Sequence, residues 1–158
     1  MWSLIGLQPK IATYGDRLRQ PLIGTVEPLA GRVQVTFSKT LKTQQFQDFL
    51  DGLIIRYMDA GKILMVLDNA QTHHSKELEP FLEAHKDKLQ LLFLPPYSPE
   101  LNPMEWFWKF LRKQVSHNMF FDTFKNFQRA LIKFIRKFTL SSLEIKRRCC
   151  FSKLITPL

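Results

Sequence analysis

Cysteine is scarce in this 158-residue chain, and the two that occur, Cys149 and Cys150, are neighbours in sequence. An adjacent pair supplies neither a disulfide framework nor a four-ligand zinc site, so reduced thiols and a cytoplasmic, intracellular setting are expected. Glycine is also sparse, with 6 residues. None falls in a P-loop, a Gly-x-Ser-x-Gly elbow or a Rossmann glycine pattern, which removes support for a nucleotide-binding enzyme or an α/β hydrolase. Apolar runs are short, and none approaches the ~20 residues of a membrane-spanning helix. The opening Met1-Trp2-Ser3-Leu4-Ile5-Gly6-Leu7-Gln8-Pro9-Lys10 has neither the basic start nor the apolar core of a signal peptide. No membrane partner is expected. Acidic residues are few as well: 14 Asp and Glu stand against 23 Lys and Arg, a net charge of +9. Such an excess implies a polyanionic partner, because phosphates bound by Lys and Arg release counterions and make binding salt-sensitive.

What is present fits one ordinary domain. At 45% hydrophobic, the chain can bury a core, but it is too short for a catalytic core plus an independent DNA-binding module. Residues 21–26 and 32–37 alternate like an antiparallel hairpin joined through 27–31. Phe46, Phe49, Leu50, Leu53, Ile54 and Tyr57 recur at helical spacing, with Gly61 as a stop before a strand at 62–67. A second helix is predicted over 75–86 with Ser75 as cap, then a strand at 89–94 that feeds a Pro-rich loop. Helices over 103–116 and 122–138 follow, the latter with Asp122 as N-cap and Phe124, Phe127, Leu131, Phe134 and Phe138 as its apolar stripe. The order is α/β, with no internal repeat.

Two carboxylates stand out, 37 positions apart (105 − 68). Asp68 ends the apolar run Ile63-Leu64-Met65-Val66-Leu67, where a buried strand delivers a side chain to the carboxyl edge of a sheet. Glu105 lies at the third position of a helix opened by Asn102 as N-cap and Pro103 as first residue, after the stiff Leu94-Pro95-Pro96-Tyr97-Ser98-Pro99 loop. Two such groups suit Mg²⁺, which prefers a few anionic oxygens and completes its shell with water and phosphate. Other readings of each acid remain open here. Asn102 and Glu105 have capping-box spacing, Glu105 and Lys109 have ion-pair spacing, and Asp68 can bond its own turn.

The combination Asp68-Asn69-Ala70-x-x-His73, then Leu94-Pro95-Pro96-Tyr97-Ser98-Pro99-x-Leu101-Asn102-Pro103-x-Glu105-x-x-Trp108, resembles the catalytic core of Tc/mariner superfamily DDE transposases, bacterial insertion-sequence branch. The likeness is densest over 63–118 and reaches weakly to Trp2, Gly6 and Pro9. It implies a ribonuclease H-like mixed sheet flanked by helices, with Asp68 and Glu105 as the second and third catalytic acids and metal ligands. Two Mg²⁺ (or Mn²⁺) ions, DNA cleavage and strand transfer, and a homo-oligomer or full-length transposase as partner are implied with it. In that family the first Asp lies on an opening strand ahead of the Trp, Gly, Pro segment. Here no acid occupies that place, since Asp16 sits in the turn-like Tyr14-Gly15-Asp16-Arg17 and Asp48, Asp51 and Asp59 follow the hairpin. The chain therefore reads as a single partial catalytic domain lacking its first strand, with 119–158 as a C-terminal helical extension. A 5′-truncated copy or a downstream reading frame is expected. The alternative is a non-catalytic DNA-binding or oligomerising remnant that inhibits the full-length enzyme.

Supporting roles follow the same pattern. His73 can orient Asp68, contact DNA or position a metal-bound water, or else cap the helix near Ser75; Asn69 reads as holding the turn, and Asn102 as the helix cap. Lys109, Arg112 and Lys113 lie within two or three turns of Glu105 as candidate DNA-phosphate contacts, with a solvated charged face as the competing reading. Met104, Trp108 and Leu111 define the core side of that helix. The tail Lys146-Arg147-Arg148 is either phosphate-binding or frayed.

Overall fold

The structure, a computed structural model, describes residues 19–117 and 119–149. Trp2, Gly6, Pro9 and Asp16 lie outside them. Strand β1 (Leu22–Glu27) and strand β2 (Arg32–Phe37) form the expected hairpin, in register from Leu22 opposite Phe37 to Glu27 opposite Arg32. Its turn closes by a bond from Gly31 N to Glu27 O at 2.7 Å. Gly31 takes φ +70, and a Cβ there would stand 2.4 Å from Ser142 O, so the turn has room only for glycine.

Helix α1 (Thr43–Arg56) buries Phe46, Phe49, Leu50 and Leu53, the stripe its periodicity predicts. It ends at Arg56, so Gly61 lies in the connection beyond it rather than at the stop. Strands β3 (Ile63–Leu67) and β4 (Leu89–Phe93) pair in parallel, from Ile63 beside Leu89 to Leu67 beside Phe93. A parallel pair requires a crossover. The sequence predicts one helix there; instead 3₁₀ turns at Gln71–His74 and Lys76–Leu78 precede a short α2 (Glu79–Ala84). Ser75 does cap, accepting from Glu77 N at 3.3 Å, but it caps a 3₁₀ turn, and Pro80 stands at the start of α2.

Helix α3 (Pro103–Leu111) passes into a π-helical turn at Arg112–Ser116. Its core positions are Met104, Phe107 and Leu111; Phe107 is fully buried, whereas Trp108 packs half-buried at the margin of that core. Helix α4 (Phe124–Arg136) starts one residue later than predicted. Thr123, not Asp122, is its cap, accepting from Asn126 N at 3.2 Å, while Asp122 accepts from the Asn126 side chain. Helix α5 (Leu143–Cys149) contains the basic tail, which is not frayed: Ile145 and Cys149 are buried and Arg148 pairs with Glu144 at 2.5 Å. The i, i+4 pair Ile145 and Cys149 is the sequence signal for this helix.

Two cores result. Val33 of β2 packs with Phe107 and Leu111 of α3, Leu131 and Phe134 of α4, and Ile145 of α5. Met65, Leu67 and Leu89 of the parallel pair pack with Phe46, Leu50 and Leu53 of α1 and Leu78. Among the described residues β1 pairs only with β2, and β3 only with β4, so the two sheets are not joined by backbone hydrogen bonds.

Candidate active site

Asp68 stands where β3 ends. Its Oδ1 accepts from Ala70 N at 3.2 Å and lies 3.2 Å from His73 Nδ1, which is also 3.2 Å from the Asp68 carbonyl oxygen. His73 is held in turn against the Phe46 ring, with centroids 4.4 Å apart. Of the roles open to His73, this geometry is that of orienting Asp68; the ring does not cap the helix after Ser75. The Asp68 side chain remains 54% exposed, so a ligand can reach its second oxygen.

Asn69 fastens the edge of the site. Its amide donates to Leu94 O at 2.6 Å, and Leu94 N donates to Leu67 O at 2.8 Å, so the ends of β3 and β4 are clamped where the chain leaves for the Pro-rich loop. His74 completes the clamp: Nε2 is 3.2 Å from Asn69 Oδ1, and the ring stacks on Phe93 at 4.2 Å. From the sequence, His74 is only the less matched neighbour of His73, with a helix-capping reading near Ser75. The 3₁₀ turn that places it in the clamp had no readable signal, since Gln71-Thr72-His73-His74 also reads as the approach to a longer helix.

The loop then turns through Tyr97, whose φ of +58 is unusual for a bulky residue. A 3₁₀ turn at Pro99–Leu101 leads to Asn102, whose side chain accepts from Met104 N at 3.0 Å and caps α3 as expected. The reciprocal half of a capping box is absent, because Asn102 N donates to Pro99 O. Nor does Glu105 pair with Lys109, whose Nζ lies 5.0 Å above the Trp106 ring. Among the described residues the Glu105 carboxylate therefore has no cation or hydrogen-bond partner. Arg112 and Lys113 are exposed on the following turn, also without a carboxylate partner among the described residues.

Asp68 and Glu105 line one cleft of about 950 Å³, together with His73, Asn102 and Trp108. Asn69, Lys109, Arg112 and Lys113 are not in its wall. No group of three or more His, Cys, Asp or Glu is gathered tightly enough among the described residues to enclose a metal. Two accessible carboxylates nevertheless fit a hard divalent ion, which takes a few anionic oxygens and fills its remaining positions from water and phosphate.

The sequence model of the DDE superfamily endonucleases matches residues 1–128. An insertion element IS630 39 kDa protein of Shigella sonnei, itself uncharacterised, is 27% identical over 117 residues, which are 74% of this chain and 34% of that protein. The uncharacterised protein y4pE/y4sA of Sinorhizobium fredii is 31% identical over 100 residues, 63% of this chain and 70% of that one. Among solved structures, the Mos1 transposase paired-end complex with left transposon end superposes with a TM-score of 0.69 at 18% identity, over 94% of this chain and 45% of the Mos1 chain. The Mos1 strand transfer complex gives 0.66 at 17% identity, over 94% and 44%. The chain thus spans about a third of the IS630 protein and under half of Mos1. By sequence the chain belongs to the DDE superfamily endonucleases, and its fold is the ribonuclease H-like fold shared with the Mos1 structures.

Proposed function

We propose that residues 1–158 form one partial catalytic domain, with 119–158 as its helical extension, for cleavage and strand transfer at DNA phosphodiesters. The observation that carries this reading is the convergence of Asp68 and the unpaired Glu105 on one cleft, from the end of β3 and the first turn of α3. In such a site Asp68 and Glu105 hold divalent cations, Mg²⁺ or Mn²⁺, two in the complete enzyme. Held by these two carboxylates, such ions would supply activation of a water or 3′-hydroxyl nucleophile and charge stabilisation for the leaving oxygen.

The protein side of the mechanism is positional. His73 keeps the Asp68 carboxylate facing the cleft, Asn69 and Asn102 fix the two chain ends that carry the acids, and Lys109, Arg112 and Lys113 bind the DNA backbone beside it. The protein acts in the cell on DNA, as a homo-oligomer or with a full-length transposase. One observation favours a second reading, a DNA-binding form that lacks catalysis and restrains the full-length enzyme: the third acid lining the cleft, Glu27, is tied up by Arg32 and Tyr57.

Plasmid nicking tests this. The chain as it stands is expected to leave supercoiled DNA intact in Mg²⁺ or Mn²⁺, because two carboxylates under-ligand a metal pair. Joining a strand that carries an Asp ahead of Met1 is expected to produce metal-dependent nicking that Glu105→Gln abolishes. Nicking that survives both Asp68→Asn and Glu105→Gln overturns the site assignment, and persistent inactivity of the extended protein supports the second reading instead.

A further inference from the structure

Helix α4 carries a charge pattern that neither its packing nor the cleft uses. Its 13 residues include no Asp or Glu, and Lys125, Arg129, Lys133 and Arg136 are all exposed. At about 100° per residue these four fall within about 80° of the helix circumference, in a stripe about 16 Å long. The opposite side is spent on the core, where Leu131, Phe134 and Ile135 are buried and Phe134 meets Phe107 and Phe110 of α3. The stripe therefore faces away from α3, and among the described residues none of α4 lines the cleft.

Nothing within the chain accounts for this charge. Among the described residues none of the four cations is ion-paired, and the nearest acid in sequence, Asp122, accepts from the Asn126 side chain. Arg129 makes only a long bond to Asn126, at 3.4 Å. Like charges at i, i+4 repel, as Lys125 does Arg129 and Arg129 does Lys133. The helix dipole favours Lys133 and Arg136 in the last turn, but it disfavours Lys125 in the first.

We propose that this stripe is a second, sequence-independent docking surface for duplex DNA, gripping phosphates of a segment other than the one at the cleft. Three features choose a duplex backbone over other anionic partners. A helix that binds a membrane surface inserts its apolar face, and that of α4 is buried in the core. A protein partner needs apolar or aromatic anchors, and Ile132, 37% exposed, is the one large apolar residue of α4 beside the stripe. Single strands are held by bases stacked on aromatic rings, and the stripe has none. A phosphate backbone needs only the cations. The choice of DNA rests on the function proposed above; the position of the surface rests on the helix alone.

The experiment uses the full chain, a labelled DNA duplex of mixed sequence, the corresponding single strand and RNA duplex, and poly-glutamate as competitor, read by fluorescence anisotropy across salt concentrations. Lys125→Ala, Arg129→Ala, Lys133→Ala and Arg136→Ala together should lower the slope of log affinity against log salt by about 0.9 per phosphate released, up to ~3.6 in total. The loss should be the same on an unrelated duplex, and with or without Mg²⁺. It should also persist in a chain already carrying Lys109→Ala, Arg112→Ala and Lys113→Ala, because the two sets lie on different sides of the packed helices. The melting temperature should hold or rise, since repulsion on an exposed face is relieved.

An unchanged slope makes the stripe a solvated face and overturns the proposal. A lowered melting temperature gives the charges a structural role and does the same. So does displacement by poly-glutamate as effective as that by DNA at matched charge, which marks an acidic protein partner, or tighter binding of the single strand or the RNA duplex. A chain extended by an Asp-bearing strand that never nicks DNA, while the loss on the four-Ala chain persists, removes the proposed catalysis and keeps this surface. Nicking by the extended chain with an unchanged slope does the reverse.

Discussion

The Lys109 ammonium stands 5.0 Å above the Trp106 ring and so does not neutralise Glu105, one helical turn before it. An exposed i, i+4 ion pair is worth about 0.3–0.5 kcal/mol, and a cation over an indole face about 0.5–1 kcal/mol at an exposed site. The aromatic partner wins by a small margin, which leaves a carboxylate free for a metal. Trp106 is 46% exposed, so its position on α3 is not explained by core packing.

Removing that ring should return Lys109 to Glu105. Trp106→Ala is expected to weaken Mn²⁺ binding about twofold, the factor that ~0.4 kcal/mol of competing ion pair represents. Adding Lys109→Ala should restore it. Titration of free Mn²⁺ by electron paramagnetic resonance reads both values, and an unchanged affinity in Trp106→Ala would contradict the arrangement.

Lys109, Arg112 and Lys113 are exposed and lack carboxylate partners among the described residues, so their charge is available to phosphate. Replacing all three by Ala should weaken binding to unrelated duplexes alike. The slope of log affinity against log salt should shrink by about 0.9 for each phosphate that is no longer neutralised, up to ~2.7 in total. Filter binding at several salt concentrations measures it. An unchanged slope would assign the three residues to a solvated face.

Cys149 is 2% exposed, and burial pushes its thiol up from 9.0 to about 11, against a smaller opposing effect of Arg148. A raised pKa stabilises the protonated form. Its contribution to stability is therefore complete below about pH 9 and lost as pH climbs towards 11, an effect of at most ~2–3 kcal/mol. Tyr57 shifts in the same direction, through burial and its bond to Glu27, and adds to the alkaline loss. Urea unfolding between pH 8 and 11 should show a shallower decline in Cys149→Ala than in the unaltered chain, whatever the packing cost of the substitution. Parallel declines would argue against the shift.

Much of the molecule was legible in the chain itself because local chemistry decided it. Apolar runs of five or six residues, the stripe on α1, the cap Asn102 followed by Pro103 and the motif around Asp68 and Glu105 each needed only neighbours in sequence. Reading stopped where long-range contacts chose between local options. The crossover after Asp68 became 3₁₀ turns once His73 packed on Phe46 and His74 on Phe93. Phe107 took the centre of the α3 core over Trp108 because Phe134 and Phe138 lie against it. The basic tail folded as a helix because the hairpin turn at Gly31 meets Ser142, and Ile145 completes the core beneath it. The partner of each charge was undecidable for the same reason. Spacing permitted Glu105 to pair with Lys109, and only the placement of the Trp106 ring in three dimensions left the carboxylate free.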